Sequence, residues 1–231
     1  MSKMENMPIC DLRNHTDIAV IQAIESIQNV AMVILPKEAP SDVLQALHSI
    51  PMRNVPAVIT LDRNDRIQII NGLSVIGNAD LGTEGNTTLV VNGIAVIADL
   101  SPEVRASIYL NGIVLIQEKL RSHPGLNFAM TNGIKVYANF AKYKLFPDEV
   151  TLDLDFLTWL DPDTVIAAGN KIIVGNDVTI DLLREKRLTL VSGNVVVCPA
   201  ALKGYIQSIS TVGNKIVSAS ASDDETGPAT D

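Results

Sequence analysis

A mainly β fold is what this sequence predicts: a β-solenoid (β-helix) of roughly 20-residue coils behind an N-terminal β/α capping segment. Three observations predict it. Asparagine recurs inside short apolar, β-type runs at Asn71, Asn92, Asn111, Asn132, Asn170, Asn194 and Asn214, with gaps of 21, 19, 21, 38, 24 and 20 residues. The 38 reads as two steps of 19 with one asparagine missing. Two residues after each asparagine stands an aliphatic (Leu73, Ile94, Ile113, Ile134, Ile172, Val196, Ile216), and in most copies a small or apolar residue follows four residues after. Lastly, 47% of the 231 residues are hydrophobic but only 4% aromatic, so β-branched aliphatics carry the core. Strand-like content repeating near every 20 residues marks stacked units that bury a continuous interior.

Residues 1–65 read as the capping segment. Residues 1–15 form a loose lead-in, and a helix over 17–28 follows, capped by Thr16 or Asp17, with Ile18, Ile21, Ile24 and Ile27 on one face. A buried strand over 29–35 ends at Pro36 and Pro40. Ser41 then caps a second helix carrying Val43, Leu44, Leu47 and Ile50, which Pro51 stops. The strand over 54–61 echoes the first, so Asn29 and Asn54 read as early members of the asparagine series. Coils fill 66–218, joined by polar linkers with single helical turns at 101–105, 118–121 and 199–203. The last strand is expected over 206–217. Residues 219–231 are too polar to bury anything and read as a disordered acidic tail.

Asparagine and glycine suit a coil corner. Equivalent side chains of successive coils sit about 4.8 Å apart, and an amide both donates and accepts, so stacked asparagines satisfy one another. Asparagine tolerates the left-handed backbone and glycine adopts it freely. A rival reading makes each Asn-Gly a two-residue hairpin turn. Linkers of 12–15 residues favour the return path of a coil. A leucine-rich repeat is disfavoured, because Ile108, Leu110 and Asn111 leave no spacer between the last leucine and the asparagine.

The run Thr164-Val-Ile-Ala-Ala-Gly-Asn-Lys-Ile-Ile-Val-Gly175 resembles the coil motif in the C-terminal β-helix of bacterial division-site inhibitors; bactofilin-type polymer-forming cytoskeletal proteins use a similar β-helix. The likeness covers these 12 residues and, loosely, 164–218. It implies self-association in the cytoplasm rather than catalysis.

Net charge is −8 with a pI near 4.9 and no dense Lys/Arg run, so no nucleic-acid partner is expected. The N-terminus has no apolar signal region, and the longest aliphatic run, 30–35, is far short of a membrane span. Cys10 and Cys198 stand far apart, outside any metal spacing, and Cys198 reads as a buried, reduced filler. His15, His48 and His123 have no ligand partners at useful spacing, so neither metal nor cofactor is expected. The glycines of 72–77 and 82–85 read as turn residues, with no helix after them to hold a phosphate.

One stretch, 145–163, breaks the pattern. It holds the single tryptophan, Trp159, with Phe146, Phe156 and the carboxylates Asp148, Glu149, Asp153, Asp155, Asp161 and Asp163. On a strand, Asp153 and Asp155 would share one face, as in a glycosidase or a Ca²⁺ site. The plainer reading turns Leu152, Leu154 and Phe156 inward and leaves a protruding loop. The function expected is a non-enzymatic structural or self-assembling scaffold, a homo-oligomer or polymer in the cytoplasm, associating through an open last strand bearing Ile206, Ile209 and Val212. The alternatives are a binding module that holds a protein or glycan through Asp153, Asp155 and Trp159, and a polysaccharide-acting β-helix enzyme.

Overall fold

Every recorded strand pairing in the computed structural model is parallel, so the fold is mainly β with parallel sheets. The described residues are 2–82 and 86–219; the expected tail beyond Ala219, and 83–85 of the expected glycine turn, lie outside them. The chain divides into two units, Met1–Arg66 and Ile67–Asp231.

The first unit contains β1 (Ser2–Glu5), β2 (Ile9–Asp11), α1 (Ile18–Gln22), β3 (Ile24–Gln28), β4 (Met32–Pro36), α2 (Ser41–His48), β5 (Met52–Arg53) and β6 (Val58–Leu61). Strands alternate between two sheets, ordered β1-β3-β5 and β2-β4-β6, so successive strand pairs lie one on another as three layers. Three expectations need correction here. The lead-in is not loose, because it supplies β1 and β2. The helix expected over 17–28 ends at Gln22; beyond it the backbone of 24–28 finds partners in β1 and β5, which local periodicity does not reveal. Asp17 does cap that helix, accepting from the Ala19 N–H at 2.8 Å, but at α2 the capping position is Pro40, and Ser41 lies inside the helix. Leu12, Ile21, Ile27, Val33, Leu35 and Leu47 fill the core. Arg13, 7% exposed, ties the unit's first layer to its last: it chelates Asp11 and donates to the carbonyls of Asp62 at 2.8 Å and Asp65 at 3.0 Å.

Apart from Arg66, the second unit holds a first stack comprising β7 (Arg66–Ile70), β8 (Leu73–Ile76), α3 (Asn78–Leu81), β9 (Thr87–Val91), β10 (Ile94–Ile97), β11 (Ala106–Leu110), β12 (Ile113–Gln117), β13 (Leu126–Thr131) and β14 (Ile134–Ala138). The second stack comprises β15 (Lys142–Phe146), β16 (Glu149–Leu152), α4 (Leu154–Thr158), β17 (Thr164–Ala168), β18 (Lys171–Val174), α5 (Ile180–Lys186), β19 (Thr189–Ser192), β20 (Val195–Cys198), α6 (Lys203–Ile209), β21 (Ser210–Val212) and β22 (Lys215–Ser218). Each stack has two four-stranded sheets, in which every strand pairs with its equivalents one repeat away. The strands flanking an Asn-Gly corner do not pair with each other, which sets the hairpin reading aside.

Alternation along β10, β12 and β14 sends their two faces to different places. Ala95, Ile97, Val114 and Ile116 point into the first stack with Leu89, Ile108 and Leu110. Ile94, Val96, Ile113, Leu115 and Val136 point the other way and pack on Val165, Ala167 and Val191 of the second stack. β14 begins beside β21, where a Cβ on Gly213 would approach Ile134 Cδ1 to 3.4 Å, and it leads into β15 at the opposite edge of the same sheet. Three strand spacings, about 14 Å, separate β15 from β21, and the five residues of β14 span about 13 Å. The two facing sheets therefore cross, with strands of one running over strands of the other.

Two further expectations give way. The strand expected over 206–217 starts only at Ser210; before it, Leu202, Ile206 and Ile209 take helical spacing and seat α6 on the core. A short helix does follow Gly77, but its N-terminus is filled by Asp80, whose carboxylate accepts the Gly77 N–H at 2.8 Å.

Candidate functional site

The asparagines fall into three separate groups rather than one series, and in the first stack their amides bond as two pairs. In the first unit Asn29 donates to Asn6 at 3.1 Å and Asn54 to Asn29 at 2.9 Å, all three in the left-handed conformation (φ 58°, 53° and 52° for Asn6, Asn29 and Asn54). In the first stack Asn92 donates to Asn71 at 3.1 Å and Asn132 to Asn111 at 2.9 Å. In the second, Asn194 donates to Asn170 at 3.1 Å and Asn214 to Asn194 at 3.3 Å. The wide gap before Asn170 is the passage between stacks, and Pro147-Asp148 holds the corner where an asparagine is absent, with the Asp148 carbonyl accepting the Asn170 N–H at 2.8 Å.

Glycine serves these corners chiefly by its size. Of the corner glycines in the second unit only Gly72 is left-handed (φ 99°). At Gly93, Gly112 and Gly133 a Cβ would stand 2.0–2.1 Å from the carbonyl oxygen of the glycine one layer away. Those same carbonyls accept the N–H of Ile94, Ile113 and Ile134, each at 2.8 Å, so the oxygen cannot withdraw without breaking the ladder.

The corners of the two stacks border a groove of about 370 Å³, lined by Asn92, Asn111, Asn132, the isoleucines beside them, and Pro147, Gly169 and Gly193. Among the described residues its lining is amide, aliphatic and backbone, without an ionisable side chain. Each ladder amide retains a second N–H and a second lone pair for a neighbour.

Residues 145–163 do not place Asp153 and Asp155 on one strand face. Asp153 is the N-cap of α4, accepting the Phe156 N–H at 2.8 Å, and Asp155 lies in the helix's first turn, so the two do not share a strand face. Leu152 is buried as expected, but Leu154 is exposed, because the chain turns helical after Asp153. Lys142 holds the Asp161 carboxyl below the ordinary carboxylate range by hydrogen bond and charge, and Arg187 does the same for Asp163. Both are thereby engaged in ion pairs between layers. Trp159 follows α4 and is 83% exposed.

Of the three residues expected on an open strand, Val212 lies on one, β21, while Ile206 and Ile209 belong to α6. Ile206 is fully buried on α6, and Ile209 and Val212 pack half-buried against the same core. His123 is structural: its Nδ1 accepts the Gly125 N–H at 3.1 Å, which leaves Nε2 to donate to the Ser101 carbonyl at 3.0 Å. Among the described residues, no group of three or more His, Cys, Asp or Glu side chains is placed to hold a metal, and no helix is long and apolar enough to cross a membrane. Comparison with family models, curated proteins and solved structures finds no match to this chain.

Sequence reasoning missed Asn6, a ladder member in the short loop between β1 and β2, and two lysines, Lys135 and Lys144, that stand opposite fully buried residues. The signal for Lys135 lay three residues after the corner asparagines, where the first stack reads Ser74, Ala95, Val114, Lys135.

Proposed function

We propose that the chain is a non-enzymatic scaffold built on β-solenoid layers, working in the cytoplasm by association between copies. The observation that carries this is the state of the final layer. Among the described residues β21 and β22 each pair with one neighbour, and inward side chains that are fully buried one layer earlier, such as Val196, become half-buried at Ile216. An edge of this kind templates pairing with another chain. A groove lined with amides and aliphatics suits contact rather than proton transfer. Two buried free thiols support a reducing compartment. The likeness of 164–175 to the β-helix of division-site inhibitors, now seen as β17, its corner and β18, supports the same reading. Sedimentation velocity over a roughly hundredfold range of protein concentration tests it, since association follows mass action. Growth of the sedimenting species with concentration is expected; one unchanging monomer refutes the scaffold.

A second reading, a binding module for another protein, rests on Trp159 with Leu154 exposed on the neighbouring helix, because exposed aromatics of this kind anchor interfaces. Trp159→Ala would then abolish capture of the partner while leaving self-association untouched.

A further inference from the structure

The open ends of the two stacks differ in what their inward columns present. At the β13–β14 end the column Ser74, Ala95, Val114 continues into Lys135, which stands opposite the fully buried Val114. Its ammonium lies 4.3 Å from the centre of the Phe128 ring, and Phe128 continues the column of Ile108. Beside it the Arg121 guanidinium lies 4.5 Å over Tyr137, which continues Ile116. At the β15–β16 end Lys144 stands opposite the fully buried Ile166. A copy docking on either end would have to strip water from an ammonium, which is costly. Inward charges on terminal strands are a known means of blunting sheet edges.

The β21–β22 end is built otherwise. Its inward positions are Ser210 and Val212, in register with Leu190 and Ser192, and Ile216 and Ser218, in register with Val196 and Cys198. Lys215 falls on the outer face, in register with Val195 and, one layer further, Lys171. Among the described residues, the inward positions there offer an approaching surface two hydroxyls and two aliphatics, none of them charged.

We infer that copies of this chain join β21–β22 edge to β21–β22 edge as a closed pair about a two-fold axis, and that Lys135 and Lys144 keep the β13–β14 and β15–β16 ends from joining. This rests on the scaffold reading and gives it a location and a limit. A self-complementary edge closes on itself, so it yields pairs rather than filaments. With three residues in β21 and four in β22 the shared ladder is short, so the pair is expected to dissociate on dilution.

The experiment moves the guard. Sedimentation velocity is run on the full chain, on Ile216→Lys, on Ser74→Lys, and on the double variant Lys135→Val with Lys144→Val. The expected results are a monomer–dimer equilibrium for the unaltered chain, monomer for Ile216→Lys, an intact pair for Ser74→Lys, and species larger than a dimer for the double variant. Far-ultraviolet circular dichroism checks that each is folded; if Ile216→Lys is not, Ile216→Ser takes its place and weakens the pair. A dimer that survives the change at Ile216, a dimer lost in Ser74→Lys, or a double variant no larger than a dimer overturns this inference while self-association stands. A monomeric unaltered chain overturns both.

Discussion

Gly112→Ala adds one methyl group at a corner and tests the layered architecture directly. The new Cβ would lie 2.1 Å from the Gly93 carbonyl oxygen and 2.8 Å from its nitrogen. Contacts below about 3 Å do not persist, so two layers must part by about 0.9 Å. The neighbouring bonds, Asn111 N–H to Val91 and Ile113 N–H to Gly93, are each 2.8 Å, and an opening of that size takes them to about 3.7 Å, beyond hydrogen-bonding range. Leaving such groups unsatisfied costs about 1–3 kcal/mol each, so a loss of about 3–5 kcal/mol is expected. Two other glycines calibrate the scale. Gly72 has nothing within 4 Å but a φ of 99°, so Gly72→Ala costs about 1–2 kcal/mol from backbone strain alone. Gly204 lies exposed in α6 with open space around it, so Gly204→Ala should stabilise by about 0.5–1 kcal/mol. Urea denaturation followed by circular dichroism reads all three. If Gly112→Ala unfolds within about 1 kcal/mol of the unaltered protein, the layers are not held in this register and the reasoning is wrong.

Ile113 is 3% exposed and faces Val165, Ala167 and Val191 across the stacks, so Ile113→Asp should prevent cooperative folding of the second unit; a sharp, near-normal melt would show that the stacks do not pack there. Asp11→Asn should destabilise the first unit by about 1–2 kcal/mol, because Arg13 loses its chelating carboxylate while the partly exposed site tempers the loss. Burial raises the Asp11 carboxyl, but the Arg13 hydrogen bonds and charge outweigh it and leave it below its ordinary value. That stabilisation is therefore full above the unfolded carboxylate value of about 4 and lost as pH falls through the lower folded value. Asp11→Asn should flatten this acid limb, and an unchanged limb would assign it to other carboxylates. Burial raises both thiols, with the charge of Asp11 adding to it at Cys10, so neither should react with a disulfide reagent at neutral pH until the protein is denatured; a fast-reacting thiol in the folded state would contradict their burial.

The sequence by itself determined the repeat and its chemistry: strand-like runs, polar linkers, asparagine and glycine at each corner. These are local properties, and each repeat states them again. It also marked Asn29 and Asn54 as members of the same pattern, although their spacing is longer. Apolar residues follow a corner asparagine at two and four residues, and in the second stack Ile172 and Val174 of this set point inward. In the first stack the equivalent Ile94 and Val96 point outward. The corner there reads Asn-Gly instead of Gly-Asn, and a shift of one residue turns a strand over.

Only the tertiary structure decided which face mattered, because both faces of these strands are buried, one by the stack's own interior and the other by the second stack crossing it. The helix at 203–209, the strands at 2–5 and 24–28, and the helical turn that separates Asp153 from Asp155 were likewise settled by partners distant in sequence. Lys135 shows the division most plainly. In the sequence it is a lysine in a β-run; in the fold it is the charged end of a buried column. A column exists only once the layers are stacked, and its end can be recognised only when the neighbouring layer is known to be absent.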